Sequence, residues 1–302
     1  MTIPEAELAP IWRDLAVVSR PSAETNPTMT VMQGVPLGES FGLDRPLNLL
    51  GFPAADCAQR IGMEWVPGLV EFLANDARHR RHVERSWFHV APLALVGDSV
   101  DEARFVARRI ARMADVPLFV MDAGRLQPDA LRRSGARGPE LVVPPDPVIA
   151  MASGRCANPI VLVLGLGGAV ARIGDDVATM LDPEAARRWL CRSMDAVIDI
   201  GEISWMIAAS NEHALPTSLY TRLEPLSIGV PCDPTERMLR VLAMALEVMA
   251  DHELEIEEVG SALATIFDDP DGEWSRMSGL AAGALYEAVA RHLLRAANAL
   301  RF

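Results

Sequence analysis

Residues 87–122 constrain the fold more than any other part of the sequence. Two short apolar runs, 93–96 and 117–121, lie on either side of a loop that opens on Gly97 and an arginine-rich helical pattern at 104–113. Apolar runs separated by an amphipathic helix are typical of two parallel strands joined by a crossover helix. The segment therefore predicts the first strand–helix–strand unit of an open α/β sheet, with a seven-residue loop, 97–103, after the first strand.

The alternation of apolar strands and helices continues to about residue 230, and only helices are predicted after it. Further apolar runs predict strands at 160–164, 203–209 and 226–230, and the sequence after residue 234 is helical throughout. Alternating strands and helices predict a doubly wound parallel sheet flanked by helices, followed by a small helical domain. The expected organisation is an N-terminal extension at 1–86, irregular and then helical from about 60, an α/β domain at 87–234 and a helical domain at 235–302. Between the third and fourth strands, residues 182–194 are predicted to form a helix with Asp182 as its N-cap.

The loop after the first strand occupies the position of a phosphate-binding loop, whose motif is G-x-x-x-x-G-K-[ST]. In that motif the glycines let backbone N–H groups surround the phosphates, the lysine contacts the β- and γ-phosphates, and the hydroxyl holds Mg²⁺. Only Gly97 matches here, because Glu102 replaces the second glycine, Ala103 the lysine and Arg104 the hydroxyl residue. The segment also carries three carboxylates where an anion would bind, those of Asp98, Asp101 and Glu102.

Composition excludes several functions. The chain has 41 acidic and 28 basic residues, a net charge of −13, which argues against a nucleic-acid partner. All 28 basic residues are arginine, so no lysine is available to bind phosphate or to act as a base. The four cysteines form no C-x-x-C pair, and no metal site is predicted. Without an apolar run of the ~18 residues that a membrane span needs, we expect a cytoplasmic protein with no membrane contact.

Residues 87–302 resemble the AAA+ ATPases, and within them the Lon-like group. Beyond the first strand and loop, three segments carry the resemblance in the family's order: NPIVLVLGLGG at 158–168, DIGEISWMIAASN at 199–211, and LPTSLYTRL at 215–223. The resemblance implies a P-loop NTPase-type fold with a helical AAA+ lid domain. It also implies ATP and Mg²⁺ as ligands of a typical family member.

The same resemblance shows which catalytic groups are missing. The family's Mg²⁺-binding Asp and catalytic Glu fall on Gly165 and Leu166, and its lid arginine falls near Gly283. Two family positions retain their residue type: Asn211 at the sensor position and Arg222 at the position of the arginine finger that reaches into a neighbouring subunit. Each has a structural alternative, Asn211 as a turn or cap residue and Arg222 as a residue favoured by a helix C-terminus.

These observations favour a pseudo-ATPase that acts as a scaffold or interaction module without ATP hydrolysis and without catalytic residues. ATP and Mg²⁺ are predicted not to bind. Two alternatives remain: an ATPase with an unorthodox site in which Arg104 replaces the lysine, and a non-hydrolysing subunit that gives Arg222 in trans to an active AAA+ paralogue. The expected partner is a protein, such as that paralogue, and the isolated chain is expected to be a monomer or dimer.

Overall fold

The computed structural model describes residues 26–32, 42–51, 54, 63–80, 86–124, 145–191, 194, 196–267 and 272–300. The strands are β1 Thr28–Met29, β2 Leu47–Asn48, β3 Leu93–Val96, β4 Leu118–Asp122, β5 Ile160–Leu164, β6 Trp189–Cys191, β7 Ala196–Ile198, β8 Ser204–Ala209 and β9 Glu224–Ser227. The helices are α1 Leu69–Arg80, α2 Val100–Ala114, α3 Asp146–Gly154, α4 Leu166–Leu181, α5 Pro183–Ala186, α6 Thr217–Tyr220, α7 Pro234–Asp251, α8 Ile256–Phe267, α9 Glu273–Met277 and α10 Ala282–Leu300.

Five parallel strands form the central sheet, in the order β4–β5–β8–β3–β9. Every residue of β5 is buried, as expected for a parallel strand covered on both faces. Helix α2 covers part of the sheet with apolar side chains that include Val106 and Ile110, which are fully buried. The predicted architecture, a parallel sheet flanked by helices and followed by a helical region, is confirmed.

The described residues fall into two compact units. One spans Pro27–Gly229 and contains the sheet, and the other includes the helices from α7 onward, with the break between Gly229 and Val230. The described part of the N-terminal extension, from Pro27 to Arg80, belongs to the unit that contains the sheet. In the second unit, Asp233 starts α7 by accepting hydrogen bonds from the N–H groups of Thr235 and Glu236.

Three element predictions differ from the structure. The second and fifth predicted strands shift slightly, since β4 lies one residue later than the predicted 117–121 and β9 covers Glu224–Ser227 rather than 226–230. Residues 182–194 are not one helix: α5 ends at Ala186, and the strands β6 and β7 form an antiparallel hairpin. The reason is a period of two, because Trp189 and Cys191 face the core while Leu190 between them is exposed.

None of the helices that the structure describes has the length and apolar character needed to cross a bilayer. In the described part of the chain after residue 230, every regular element is a helix. The helix predicted at 60–86 is confirmed over α1, Leu69–Arg80, and is wrong at 63–68, which are not helical. Residues 60–62 and 81–85 lie outside the described ranges.

Asn158 ties the N-terminal extension to the amino end of the sheet. Its fully buried side chain donates to the carbonyl oxygens of Leu50 (2.8 Å) and Phe88 (2.7 Å) and accepts from the N–H of Leu50 (2.7 Å). The thiol of Cys156 donates to the same side-chain oxygen over 3.0 Å, and burial raises the pKa of that thiol to about 11. One amide thus satisfies backbone groups of two segments that are distant in sequence.

We predict that Asn158→Leu lowers the free energy of unfolding by about 3 kcal/mol or more. The substitution keeps the branched shape and the number of non-hydrogen atoms of the side chain, but it leaves the two groups of Leu50 and the carbonyl of Phe88 without this partner, at ~1–3 kcal/mol for each buried group. Urea unfolding measures the difference. Asn211→Leu is the matched control at an exposed position and should change stability by less than ~0.5 kcal/mol. Equal effects of the two substitutions would contradict the role assigned to Asn158.

Candidate functional site

The carboxyl edge of the sheet contains a topological switch point between β3 and β8. These strands are neighbours, but the chain leaves β3 toward β4 on one side of the sheet and leaves β8 toward β9 on the other. In open α/β sheets, ligands bind in the crevice at such a point. The structure joins the two strand ends there, since the N–H of Gly97 donates to the carbonyl of Ala209 over 2.9 Å. The predicted site residues Gly97 and Asn211 therefore lie at adjacent strand ends.

Gly97 is required by packing in this crevice. A Cβ at this position would lie 2.3 Å from the carbonyl oxygen of Ile228, closer than such atoms can approach. The backbone of Ile228 is held in place because its N–H donates to Val96 over 2.8 Å. Packing against Ile228 thus accounts for the glycine at position 97, and no bound phosphate is needed to explain it.

Helix α2 begins much earlier than the sequence predicted. Ser99 is its N-cap, and the Ser99 hydroxyl accepts a hydrogen bond from the N–H of Glu102 over 3.3 Å. Consequently the loop contains only the three residues Gly97–Ser99, and the predicted seven-residue loop is wrong. The missed signal is the sequence Ser-Val-Asp-Glu at 99–102, which matches the S/T-x-x-E pattern of a capping box.

The early start turns two motif positions into core residues. Glu102 is 2 % exposed and Ala103 is 1 % exposed, so neither faces the crevice as a loop residue would. Arg104, Asp98 and Asp101 are exposed. The expectation that three carboxylates face the phosphate position is corrected, because the Glu102 side chain is buried and only the two aspartates remain at the surface.

Gly165 and Leu166 form the junction between β5 and α4. Gly165 has a left-handed backbone conformation (φ +69°), which favours glycine, and Leu166 is fully buried. A Cβ on Gly165 would lie 3.4 Å from a carboxylate oxygen of Asp122, whose Oδ1 accepts from the N–H of Gly124. Helix α4 starts directly after Gly165, at Leu166, so no glycine loop follows β5.

Asn211 follows β8 in extended conformation and is exposed. Its carbonyl accepts from the N–H of Ala214 and so opens a short 3-10 helix, Glu212–Ala214. Its side chain does not cap that helix, and the amide nitrogen donates to the hydroxyl of Ser210 over 3.3 Å. The backbone of Asn211 thus makes a turn, while its side-chain amide faces solvent at the edge of the crevice.

Arg222 lies in an ion pair within its own chain. Its guanidinium donates to Asp182 over 2.7 Å, and the side chains of Arg222 and Asp182 are 41 % and 34 % exposed. The other carboxylate oxygen of Asp182 accepts from the N–H groups of Glu184 and Ala185 and caps α5. A role for Arg222 in a neighbouring subunit would require this pair to open.

The remaining predicted position, Gly283, is the second residue of α10 in the helical unit. In the described ranges, no group of three His, Cys, Asp or Glu side chains is placed to hold a metal ion. The structure therefore brings Gly97, Gly165 and Asn211 to strand ends of the same sheet. It places Gly283 in the other compact unit.

No protein-family model and no curated protein matches the sequence. Among solved structures, the chain is similar to a RuvB mutant from Thermotoga maritima at 13% identity, with 83% of this chain and 74% of that chain covered and a TM-score of 0.41. A second Thermotoga maritima RuvB mutant is 12% identical, with 76% and 68% covered and a TM-score of 0.39. A third RuvB mutant gives 10% identity, the same coverage and a TM-score of 0.40.

The hydrogen bonds of Asp182 predict that its contribution to the stability of the protein depends on pH. Hydrogen bonds from the N–H of Ala185 and from Arg222 hold the pKa of Asp182 below its usual range. A carboxyl whose pKa falls on folding stabilises the protein above its unfolded pKa, and this contribution disappears as pH falls through the folded pKa. Asp182→Ala should therefore lower the melting temperature at pH 7, and the difference from wild type should shrink below pH ~4.

Thermal denaturation from pH 7 to pH 3 measures this difference. Asp175→Ala removes an exposed carboxyl of α4 and is the control for the loss of one acidic side chain. Arg222→Ala should have a smaller effect than Asp182→Ala, because the two N–H donors of α5 stay in place. A difference that stays constant with pH would contradict the assignment.

Proposed function

We propose that this protein is a pseudo-ATPase with an AAA+ fold of the Lon-like group, which acts as a scaffold or protein-interaction module without hydrolysing ATP. The observation that carries the proposal is the start of α2 at Val100. A phosphate-binding loop needs several successive residues whose N–H groups turn inward around the phosphates. Here only Gly97–Ser99 separate the strand from the helix.

The groups that phosphoryl transfer requires are replaced by residues that cannot do their work. Ala103 provides no cation for the β- and γ-phosphates, and it is buried. Gly165 has no side chain to hold Mg²⁺ through water, and Leu166 is an apolar core residue at the position of the catalytic acid. Catalysis of this reaction consists almost entirely of positioning and charge stabilisation, so these replacements remove its basis.

The charge of the crevice also disfavours a nucleotide. Asp98 and Asp101 are exposed beside the start of α2, where a triphosphate would bring further negative charge. Two unit charges ~4 Å apart interact by about 1 kcal/mol in bulk water and several-fold more near a protein surface. Arg104, the cation of the unorthodox alternative, lies inside the helix rather than in the loop.

The preserved architecture supports a role as a scaffold. Strand β5 of the sheet is buried at every residue, and the buried Asn158 fixes the N-terminal extension to the sheet. A protein partner agrees with the net charge of −13, which disfavours nucleic acid. The isolated protein is proposed to have no ATPase activity.

Thermal denaturation with and without 1 mM ATP and Mg²⁺ tests this proposal. A nucleotide present at about 100 times its Kd would stabilise the protein by about 2.7 kcal/mol, which shifts the melting temperature by several degrees. We expect no shift with ATP or ADP. A clear shift would contradict the proposal. If Arg104→Ala then abolished that shift, the unorthodox nucleotide site would be supported instead.

A further inference from the structure

Strand β4 is the last strand at one end of the sheet, so only one of its two edges pairs with a neighbour. That neighbour is β5, in a register that places Leu118 beside Ile160. The N–H of Ile160 donates to the carbonyl of Pro117 over 2.9 Å, so Pro117 points toward β5. Successive residues of a strand point their N–H and C=O groups to opposite edges. Leu118 and Val120 therefore direct their backbone groups to the outer edge.

This outer edge is open in the part of the chain that the structure describes. No described strand lies beside it, and the outer N–H and C=O groups of Leu118 and Val120 have no hydrogen-bond partner among the described residues. The side chains along the edge are apolar, and those of Leu118, Phe119 and Val120 are half-buried. An apolar edge with free backbone groups is a template for a further strand.

The other end of the sheet, β9, is protected against a further strand. The N–H groups of Glu224 and Ile228 donate to residues of β3 or the segment before it, so Pro225 and Ser227 point outward by the same alternation. Proline offers no N–H to a further strand, and a charged side chain on an edge also hinders pairing. Residues 118–121 of β4 include neither a proline nor a charged residue. The two edges of one sheet thus differ in a way that favours pairing at β4.

A cavity of about 430 Å³ opens beside the start of the β4 edge. Its apolar lining includes Leu50, Ala111, Val116, Pro117 and Leu118. Neighbouring strands lie ~4.8 Å apart, so a side chain on a strand added to β4 would reach the cavity next to Leu118. Arg108 and Arg112 also line the cavity, but both already interact within the chain and have no part in this contact. The cavity has room for a large apolar side chain.

We propose that the outer edge of β4 binds an extended segment of a protein partner, which adds a sixth strand to the sheet and places one large apolar side chain in the cavity. Hydrogen bonds to the backbone of Leu118 and Val120 supply affinity, and the cavity selects the side chain. A second copy of this chain fits less well. Two-fold pairing of β4 with itself about Val120 would put Asp122, rather than an apolar residue, opposite Leu118.

This edge is a docking surface for the interaction role proposed above, and the inference rests on that role. Fluorescence anisotropy with full-length protein and a labelled synthetic peptide tests it. The probe has about seven residues, the length of a typical strand, with valine and threonine alternating around a central leucine. N-methylation of every second residue leaves the probe one edge that can form hydrogen bonds, so it cannot stack on itself. Wild-type protein should bind this probe saturably.

Two control peptides separate strand addition from general apolar binding. The same peptide N-methylated at every residue should bind at least about tenfold more weakly, because it has no N–H group to donate to β4. A peptide with alanine in place of the central leucine should bind at least about fivefold more weakly, since it leaves the cavity unfilled.

A proline on the edge tests the same contact from the protein side. Val120→Pro removes an outward N–H that takes no part in the ladder with β5, and it should weaken binding of the probe at least about tenfold. Ser227→Pro is the matched control, because it places a proline at an outward position of β9, and it should bind like wild type. Circular dichroism verifies that both variants are folded.

Hydrogen exchange measured by NMR gives a readout that needs no variant. In the free protein, the amides of Leu118 and Val120 should exchange faster than those of Phe119 and Met121, which face β5. Bound probe should slow exchange at Leu118 and Val120 at least about tenfold, because their N–H or C=O groups then lie inside a ladder.

Three results would overturn the proposal: no saturable binding of the probe to wild type, equal binding of the fully N-methylated peptide, or wild-type binding by folded Val120→Pro. If Val120→Pro does not fold, the peptide pair and hydrogen exchange decide. Slow exchange at Leu118 and Val120 in the free protein that becomes fast on dilution would place a second copy at the edge and would also overturn it. A thermal shift with ATP would contradict the proposed pseudo-ATPase and leave the peptide result standing, whereas failure of peptide binding without an ATP shift would contradict only the β4 edge.

Discussion

The hydrogen bond from the N–H of Glu102 to the hydroxyl of Ser99 caps α2, and the length of the loop at the carboxyl edge of the sheet depends on it. It starts α2 at Val100, so that the segment after β3 has three loop residues rather than a phosphate-surrounding loop. Acidic residues in the first turn add to this preference, because the positive end of the helix dipole favours them. The proposal that this edge binds no nucleotide therefore rests on the early start of the helix as well as on the absence of lysine from the sequence.

The glycines of this edge also have structural explanations. Gly97 is fixed by the close approach of Ile228, and Gly165 by a left-handed conformation at the start of α4. An aspartate at 165 would be strained and would place its side chain beside Asp122. A carboxylate residue at 165 would therefore conflict with the local backbone, and this conflict supports the proposal that the crevice does not bind nucleotide.

The sequence alone predicted the sheet well, because continuous apolar runs such as 93–96 and 160–164 have few alternatives to buried parallel strands. It placed the N-cap at Asp182 correctly but missed the early start of α2 and the β6–β7 hairpin. A four-residue capping pattern is short, and the alternation around Leu190 spans only three residues. Asn158 binds Leu50, which is 108 positions away, and Arg222 binds Asp182, which is 40 positions away. The periodicity of apolar residues in a sequence cannot predict pairs that are so far apart.

The measurement that tests the central claim most directly is the backbone NMR spectrum of residues 97–104 with and without millimolar ATP and Mg²⁺. The account predicts helical carbon chemical shifts from Val100 onward and no change in the amide signals of this segment when nucleotide is added. Extended or loop-like shifts through Ala103, with amide changes that saturate at micromolar ATP, would contradict it. That result would mean that a phosphate-binding loop forms here after all.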